Sequence, residues 1–135
     1  MSEAAIARLR EIYDAFAASG EIDRSNLHPE VVFSQPEPQG RTERHGPDGY
    51  VSAIEEIRDL VEGFRFVVDD VIEAGDRLVG LVRIQGRARM GGMALDIPVA
   101  HIVELRDGLI VRLDAYLDRA EGLRVAGIPD VDSAA

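Results

Sequence analysis

Residues 64–117 read FRFVVDDVIEAGDRLVGLVRIQGRARMGGMALDIPVAHIVELRDGLIVRLDAYL. Phe64, Phe66 and Val68 alternate with polar or smaller partners, the period of a strand with one buried face. Ala74-Gly75-Asp76-Arg77 is turn chemistry, and Leu78 to Met90 is a long strand. Gly91-Gly92 signals a hairpin, because tight β-turns between strands need residues that accept positive φ. Met93 to Leu105, a turn at Arg106-Asp107-Gly108, and Leu109 to Leu117 complete the run. Connections this short join antiparallel neighbours only, since parallel strands need a crossover of a dozen or more residues. The segment is therefore a four-stranded antiparallel meander. On its second strand Leu78, Gly80, Val82, Ile84, Gly86 and Ala88 form a continuous small-to-apolar face suited to burial. Arg83, Arg87 and Arg89 share the other face with Gln85, read as a solvated or dimer-facing surface rather than one lining a pocket for an acidic ligand.

Upstream the period becomes helical. Ser2 can cap a helix running to about Ser19, with Ile6, Leu9, Ile12, Tyr13, Phe16 and Ala17 in one stripe and Gly20 as its stop. A short helical turn over Ile22 to Leu27 ends at His28-Pro29, because a residue before proline avoids the helical region. Val31-Val32-Phe33 reads as a short strand, and the polar stretch from Ser34 to Gly46, with Pro36, Pro38 and Gly40, as a loop. Pro47 suits a first helical turn, and Tyr50, Ile54, Ile57 and Val61 recur at amphipathic spacing. Beyond the meander, Asp118 and Glu121 have the spacing of a capping box for a short helix over Arg119 to Ala126, and Pro129 to Ala135 is expected to fray. Helices first and a meander later give an α+β class: a curved antiparallel sheet wrapped around the N-terminal helices, a cone-shaped half-barrel with one internal pocket, built as one domain over residues 1–128.

The composition removes several function classes. The chain has 135 residues, with 25 acidic side chains against 15 basic ones and a formal net charge of -10. Nucleic acid and anionic membrane surfaces select basic patches, so neither is expected as a partner. Every basic residue is arginine, so no lysine Schiff base can form. The absence of cysteine excludes disulfides, thiolate metal sites and a cysteine nucleophile. Met1 to Arg10 carries no apolar run of the signal-peptide kind and no stretch is long enough to span a bilayer, so a soluble cytoplasmic protein is expected. His28, His45 and His101 are scattered over three segments without a carboxylate pattern, and no metal is expected. No serine sits in a nucleophile elbow and no glycine-rich loop leads from a strand into a helix, so no cofactor is expected either.

Several segments, in order, resemble the nuclear-transport-factor-2-like superfamily, and within it the SnoaL-like, ketosteroid-isomerase-like group. They are Ala-Ala-Ser-Gly-Glu-Ile-Asp (17–23), Leu-His-Pro-Glu-Val-Val-Phe (27–33), His-Gly-Pro-Asp-Gly-Tyr (45–50), Val-Ala-His-Ile (99–102), Leu-Arg-Asp-Gly-Leu-Ile-Val (105–111) and Tyr-Leu-Asp-Arg-Ala-Glu (116–121). The resemblance covers roughly residues 6–128 and implies the half-barrel, often paired as a homodimer through the outer face of the sheet. It does not imply one function, because this superfold hosts isomerases, cyclases, hydrolases, dehydratases and binding domains. Ketosteroid isomerase chemistry uses a carboxylate base together with a tyrosine and a protonated aspartic acid that stabilise an enolate. The resemblance places Tyr13 at the oxyanion tyrosine, Gln35 at the base and Ala100 at the second acid. Glutamine cannot abstract a carbon-bound proton and alanine cannot donate a hydrogen bond, so steroid-type isomerisation by that route is not expected. SnoaL-type cyclases use an aspartate on the last strand; the matching position is Ala115, with Asp114 one residue away and therefore on the opposite face unless a bulge intervenes.

The expected pocket is lined by Tyr13, Phe16, Phe33, Gln35, Ala100, Leu113, Ala115 and Leu117, mostly apolar with one phenol and one amide. His101 has the parity opposite to Ala100 and is expected on the outer face or at an interface. The pocket suits a small apolar molecule with a carbonyl or hydroxyl group. Two readings stand open: a binding domain with Tyr13 and Gln35 as its polar contacts, and an enzyme acting on a polyketide-, terpenoid- or steroid-like substrate through Tyr13 with Asp114 or His101, which requires a titratable group with a shifted pKa inside the cavity.

Overall fold

The computed structural model describes residues 2–128. The tail from Pro129 to Ala135 and the capping side chain expected of Ser2 lie outside the described residues. Helix α1 (Ser2–Ser19) is followed by a 3-10 turn (Arg24–Asn26), strands β1 (Leu27–Glu37) and β2 (Gly40–His45), helix α2 (Gly46–Leu60), strands β3 (Val61–Ala74), β4 (Arg77–Ala88), β5 (Ala94–Arg106) and β6 (Leu109–Tyr116), and helix α3 (Arg119–Val125). The caps follow local chemistry. The N–H of Gly20 bonds back to the Phe16 carbonyl at 2.7 Å to close α1, Pro47 lies in the first turn of α2, and the Asp118 carboxylate accepts from the N–H groups of Ala120 and Glu121 to open α3.

The six strands form one sheet in the order β2-β1-β6-β5-β4-β3. The meander β3 to β6 is antiparallel throughout, as its short turns require. The sheet as a whole is mixed, because β1 pairs parallel with β6. It curves without closing, with β2 and β3 at its two edges. Two register shifts in the β3–β4 pair, between Glu62 and Arg65 and between Val68 and Asp70, bend the long third strand.

The segment expected to be a loop is instead the end of β1, a turn and β2, with register Val32↔His45 to Glu37↔Gly40. Two features hide it in the sequence. The β1–β6 pairing stops at Ser34↔Asp114, so Pro36 lies where β1 has a neighbour on one side only and its missing N–H costs no ladder bond there. Strand β2, with the sequence GRTERH, is an edge with no apolar alternation to read.

The core has two parts on opposite faces of the sheet. The concave face packs Leu9, Tyr13 and Phe16 of α1 and Ala53 and Ile54 of α2 against Val31, Phe33, Phe64, Phe66, Val82, Val103 and Leu113. The other face seats α3, whose Leu123 packs with Val79, Ala100 and Ile102. Outside α3 that face is polar: Arg83 bridges Asp69 and Asp96 at 3.0 and 3.1 Å, and Arg119 reaches Asp69 at 2.7 Å. Of the arginine row, Arg83 is ion-paired on this face, Arg87 donates to the Gly92 carbonyl at 2.7 Å and Arg89 to the Arg58 carbonyl at 3.1 Å.

Candidate functional site

An apolar cavity of about 260 Å³ opens on the concave side, between the start of β3, the middle of β5 and the end of β6. Phe33, Gln35, Ala115 and Leu117, all expected in the pocket, line it. So do Phe66, Ile84, Leu95 and Val99. They escape a reading based on family positions, although Ile84 belongs to the apolar face of β4 that the sequence already marks for burial.

The polar centre of the cavity is His101, which is 3% exposed and lines the wall. Its Nδ1 lies 2.6 Å from the Tyr13 hydroxyl, across 88 residues of chain. Strand β5 supplies the imidazole, and α1 supplies the phenol from its buried stripe. Aromatic rings hold both in place: Phe66 meets His101 edge-on at 5.0 Å and Tyr13 at 6.0 Å. Burial disfavours the imidazolium and lowers the pKa of His101 to about 4, so the ring is neutral at pH 7. Burial, with a smaller contribution from Tyr50, raises the Tyr13 pKa well above its ordinary value, so the phenol keeps its proton. Among the described residues Nδ1 is the only partner of that phenol. The phenol therefore donates to Nδ1, which places the imidazole proton on Nε2. No buried side-chain nitrogen or oxygen among the described residues lacks a partner, and among those residues none bonds to Nε2. Nε2–H is therefore the accessible edge of the ring, a single hydrogen-bond donor presented to an apolar cavity.

The remaining expected residues separate. Asp114 is not in the cavity: it lies on the opposite face of β6, 2.9 Å from Arg112, which also holds Glu43. This is the facing expected of a residue next to Ala115: His101 pairs with Ala115 and Ile102 with Asp114, in regular register after the one shift that leaves Val111 unpaired between Leu105↔Ile110 and Glu104↔Arg112. Ala100 is fully buried on the other face beneath α3, where a Cβ on Gly122 would come within 2.9 Å of its methyl group. Leu113 is buried in the concave core. Phe16 lines a second cavity of about 240 Å³ at the end of α1, shared with Tyr50, and touches the first through Phe66 at 5.6 Å. His101, expected outside, is inside. Among the described residues no group of three or more His, Cys, Asp or Glu side chains could hold a metal ion, and no helix is long and apolar enough to cross a membrane.

Comparison with known proteins agrees with this architecture. A search of curated proteins finds no match. Among solved structures, an NTF2-like protein of unknown function from Burkholderia pseudomallei is 24% identical, with a TM-score of 0.69 over 90% of this chain and 96% of that one. A proposed SnoaL-like polyketide cyclase from Jannaschia is 17% identical, with a TM-score of 0.68 over 93% of each chain. A protein with a ketosteroid isomerase-like fold from Catenulispora acidiphila, solved with trimethylamine, is 16% identical, with a TM-score of 0.66 over 88% of this chain and 94% of that one. At these identities the likeness is one of fold. The family model of the SnoaL-like domain matches residues 9–113, from the first turns of α1 to the middle of β6, and the chain belongs to that family.

Proposed function

We propose that the protein binds a small, mainly apolar molecule carrying a hydrogen-bond acceptor, with His101 Nε2–H as the donor that fixes its orientation. One observation carries this reading: the imidazole edge, backed by Tyr13 at 2.6 Å, is the buried polar group in a mainly apolar wall. A ketone or quinone oxygen fits a lone donor. A carboxylate does not, because the buried neutral imidazole offers it no compensating charge. Gln35, on the rim, adds a second polar contact. The test is a screen of small cyclic and aromatic ketones against ¹⁵N-histidine-labelled protein. A ligand of this class moves the Nε2 resonance of His101, and His101→Leu weakens its binding about three- to tenfold, the worth of one hydrogen bond. Ligands that bind without moving that resonance would overturn the assignment.

The geometry also favours a particular form of the enzyme reading. A neutral imidazole whose tautomer is fixed by a phenol is arranged to donate to an oxygen that gains negative charge, as in enolisation of a ketone. A histidine whose pKa is lowered to about 4 is a poor general base, so the proton would leave to water or to a second substrate group. Deuterium exchange at the α-carbon of a bound ketone separates the two: exchange lost in Tyr13→Phe supports catalysis, and no exchange above the solvent rate leaves a binding domain.

A further inference from the structure

A groove of about 670 Å³ lies beside the cavity, across the end of α2 and the start of the β4–β5 hairpin, and the two share Val61 and Leu95 as wall. Leu60, Ala88 and Met90 add apolar lining to the groove, with the charged side chains of Asp59 and Arg89 beside them. Among the described residues six large apolar side chains are exposed, and four of them line the cavity or the groove: Leu60 at 71%, Met90 at 93%, Ile97 at 39% and Leu117 at 63%. Met93, at 70%, stands in the same hairpin as Met90. Exposed apolar side chains scattered singly are ordinary, but a group that continues a cavity wall marks a contact surface. Two of the five are methionines, the side chain that adapts best to an occupant of variable shape.

Resting on the proposed binding of an acceptor-bearing molecule at His101, we infer that the natural ligand is elongated and amphipathic: a carbonyl-type head at His101 Nε2 and an aliphatic or polyene tail that leaves the cavity past Val61 and Leu95 to lie in the Leu60–Met90 groove. Size supports this. The cavity alone, at about 260 Å³, falls below the range of about 300–1,000 Å³ usual for small-molecule sites, and the groove supplies what is missing. Position supports it too, because the groove and the cavity lie side by side with Val61 and Leu95 in the wall of both. The net charge of -10 weighs against an anionic lipid surface as the occupant.

The test is a series of straight-chain 2-alkanones, from 2-hexanone upward, titrated into the parent protein and into the double variant Leu60→Ser, Met90→Ser. Both positions are exposed, so the variant keeps the fold. Affinity in the parent should rise about two- to fourfold per added methylene, and keep rising after the short members have filled the cavity. The double variant should match the parent for the short ketones and fall behind it by about tenfold or more for the long ones. If the short ketones bind and move the His101 resonance but longer ones gain nothing, or both proteins bind every length alike, the cavity assignment stands and the tail groove is overturned. If no ketone of any length binds, both fall. A double variant that sediments as a monomer while the parent sediments as a dimer would make the patch a subunit interface, and that too overturns the groove.

Discussion

At position 80 the space for a side chain is already taken: a Cβ on Gly80 would lie 3.0 Å from the Tyr13 hydroxyl and 3.3 Å from its ring. Gly80 also pairs with His101 across the β4–β5 ladder, so one small residue leaves room for the hydrogen bond that defines the site. Gly80→Ala should push the phenol off Nδ1, cost about 1–3 kcal/mol in overpacking, and convert the imidazole from one tautomer to a mixture, visible in its ¹⁵N shifts. Tyr13→Phe should produce the same loss of tautomer without the overpacking. The sequence held enough to place His101 correctly. The even-numbered residues of β4 form its apolar face, and a hairpin centred on Gly91-Gly92 pairs even positions with odd ones. Val99, His101 and Val103 therefore face inward with Leu78, Gly80 and Val82. Transferring the acid position of a related enzyme onto Ala100 reversed that parity. Asp114 was legible once Ala115 was placed inward, because adjacent residues of a strand face opposite ways; the upstream shift at Val111 was not, since nothing in the composition of that strand announces a bulge.

At the scale of elements, α3 explains why an alanine occupies position 100. The helix approaches so closely at Gly122 that neither residue has room to grow: a Cβ on Gly122 would meet Ala100 at 2.9 Å and Tyr116 at 3.3 Å. Ala100→Asp would therefore place a carboxylate under α3 and leave the cavity as it was. The expected outcome is a loss of several kcal/mol, roughly 3 or more, with ketone affinity unchanged in whatever fraction remains folded; denaturant unfolding and titration of the same sample check both. The meander, both long helices and the short capped one were legible because each carries its own period and its own punctuation. The β1–β2 hairpin was not, because prolines and an all-polar edge strand look like loop until a neighbouring strand is known to stop short.

For the molecule as a whole, acid should act first through the buried imidazole. The pKa of His101 is lowered from 6.5 to about 4 in the folded state, so the unfolded chain takes up the proton first as pH falls. Stability from this group is full above pH 6.5 and is lost between there and pH 4, at up to about 1.4 kcal/mol per pH unit. The paired carboxylates Glu56 and Asp69, held below their ordinary values of 4.5 and 3.8 by arginine partners, begin to add their losses only at the acid end of that window. Denaturant midpoints measured from pH 7 to pH 4 should fall in the parent and stay nearly flat over that window in His101→Gln; an equal slope in both would place the effect elsewhere. The site joins α1 to β5, and the sheet joins β1 to β6, the first strand to the last, side by side. During synthesis β1 can pair with β2 and meet α2 early, but its ladder with β6 must wait until residues 109–116 have emerged. Contacts of such long sequence separation fold slowly. The growing chain thus passes through a stage in which the inner edges of β1 and β5 have no neighbour, and a chaperone that shields them until β6 arrives should raise the yield of folded protein.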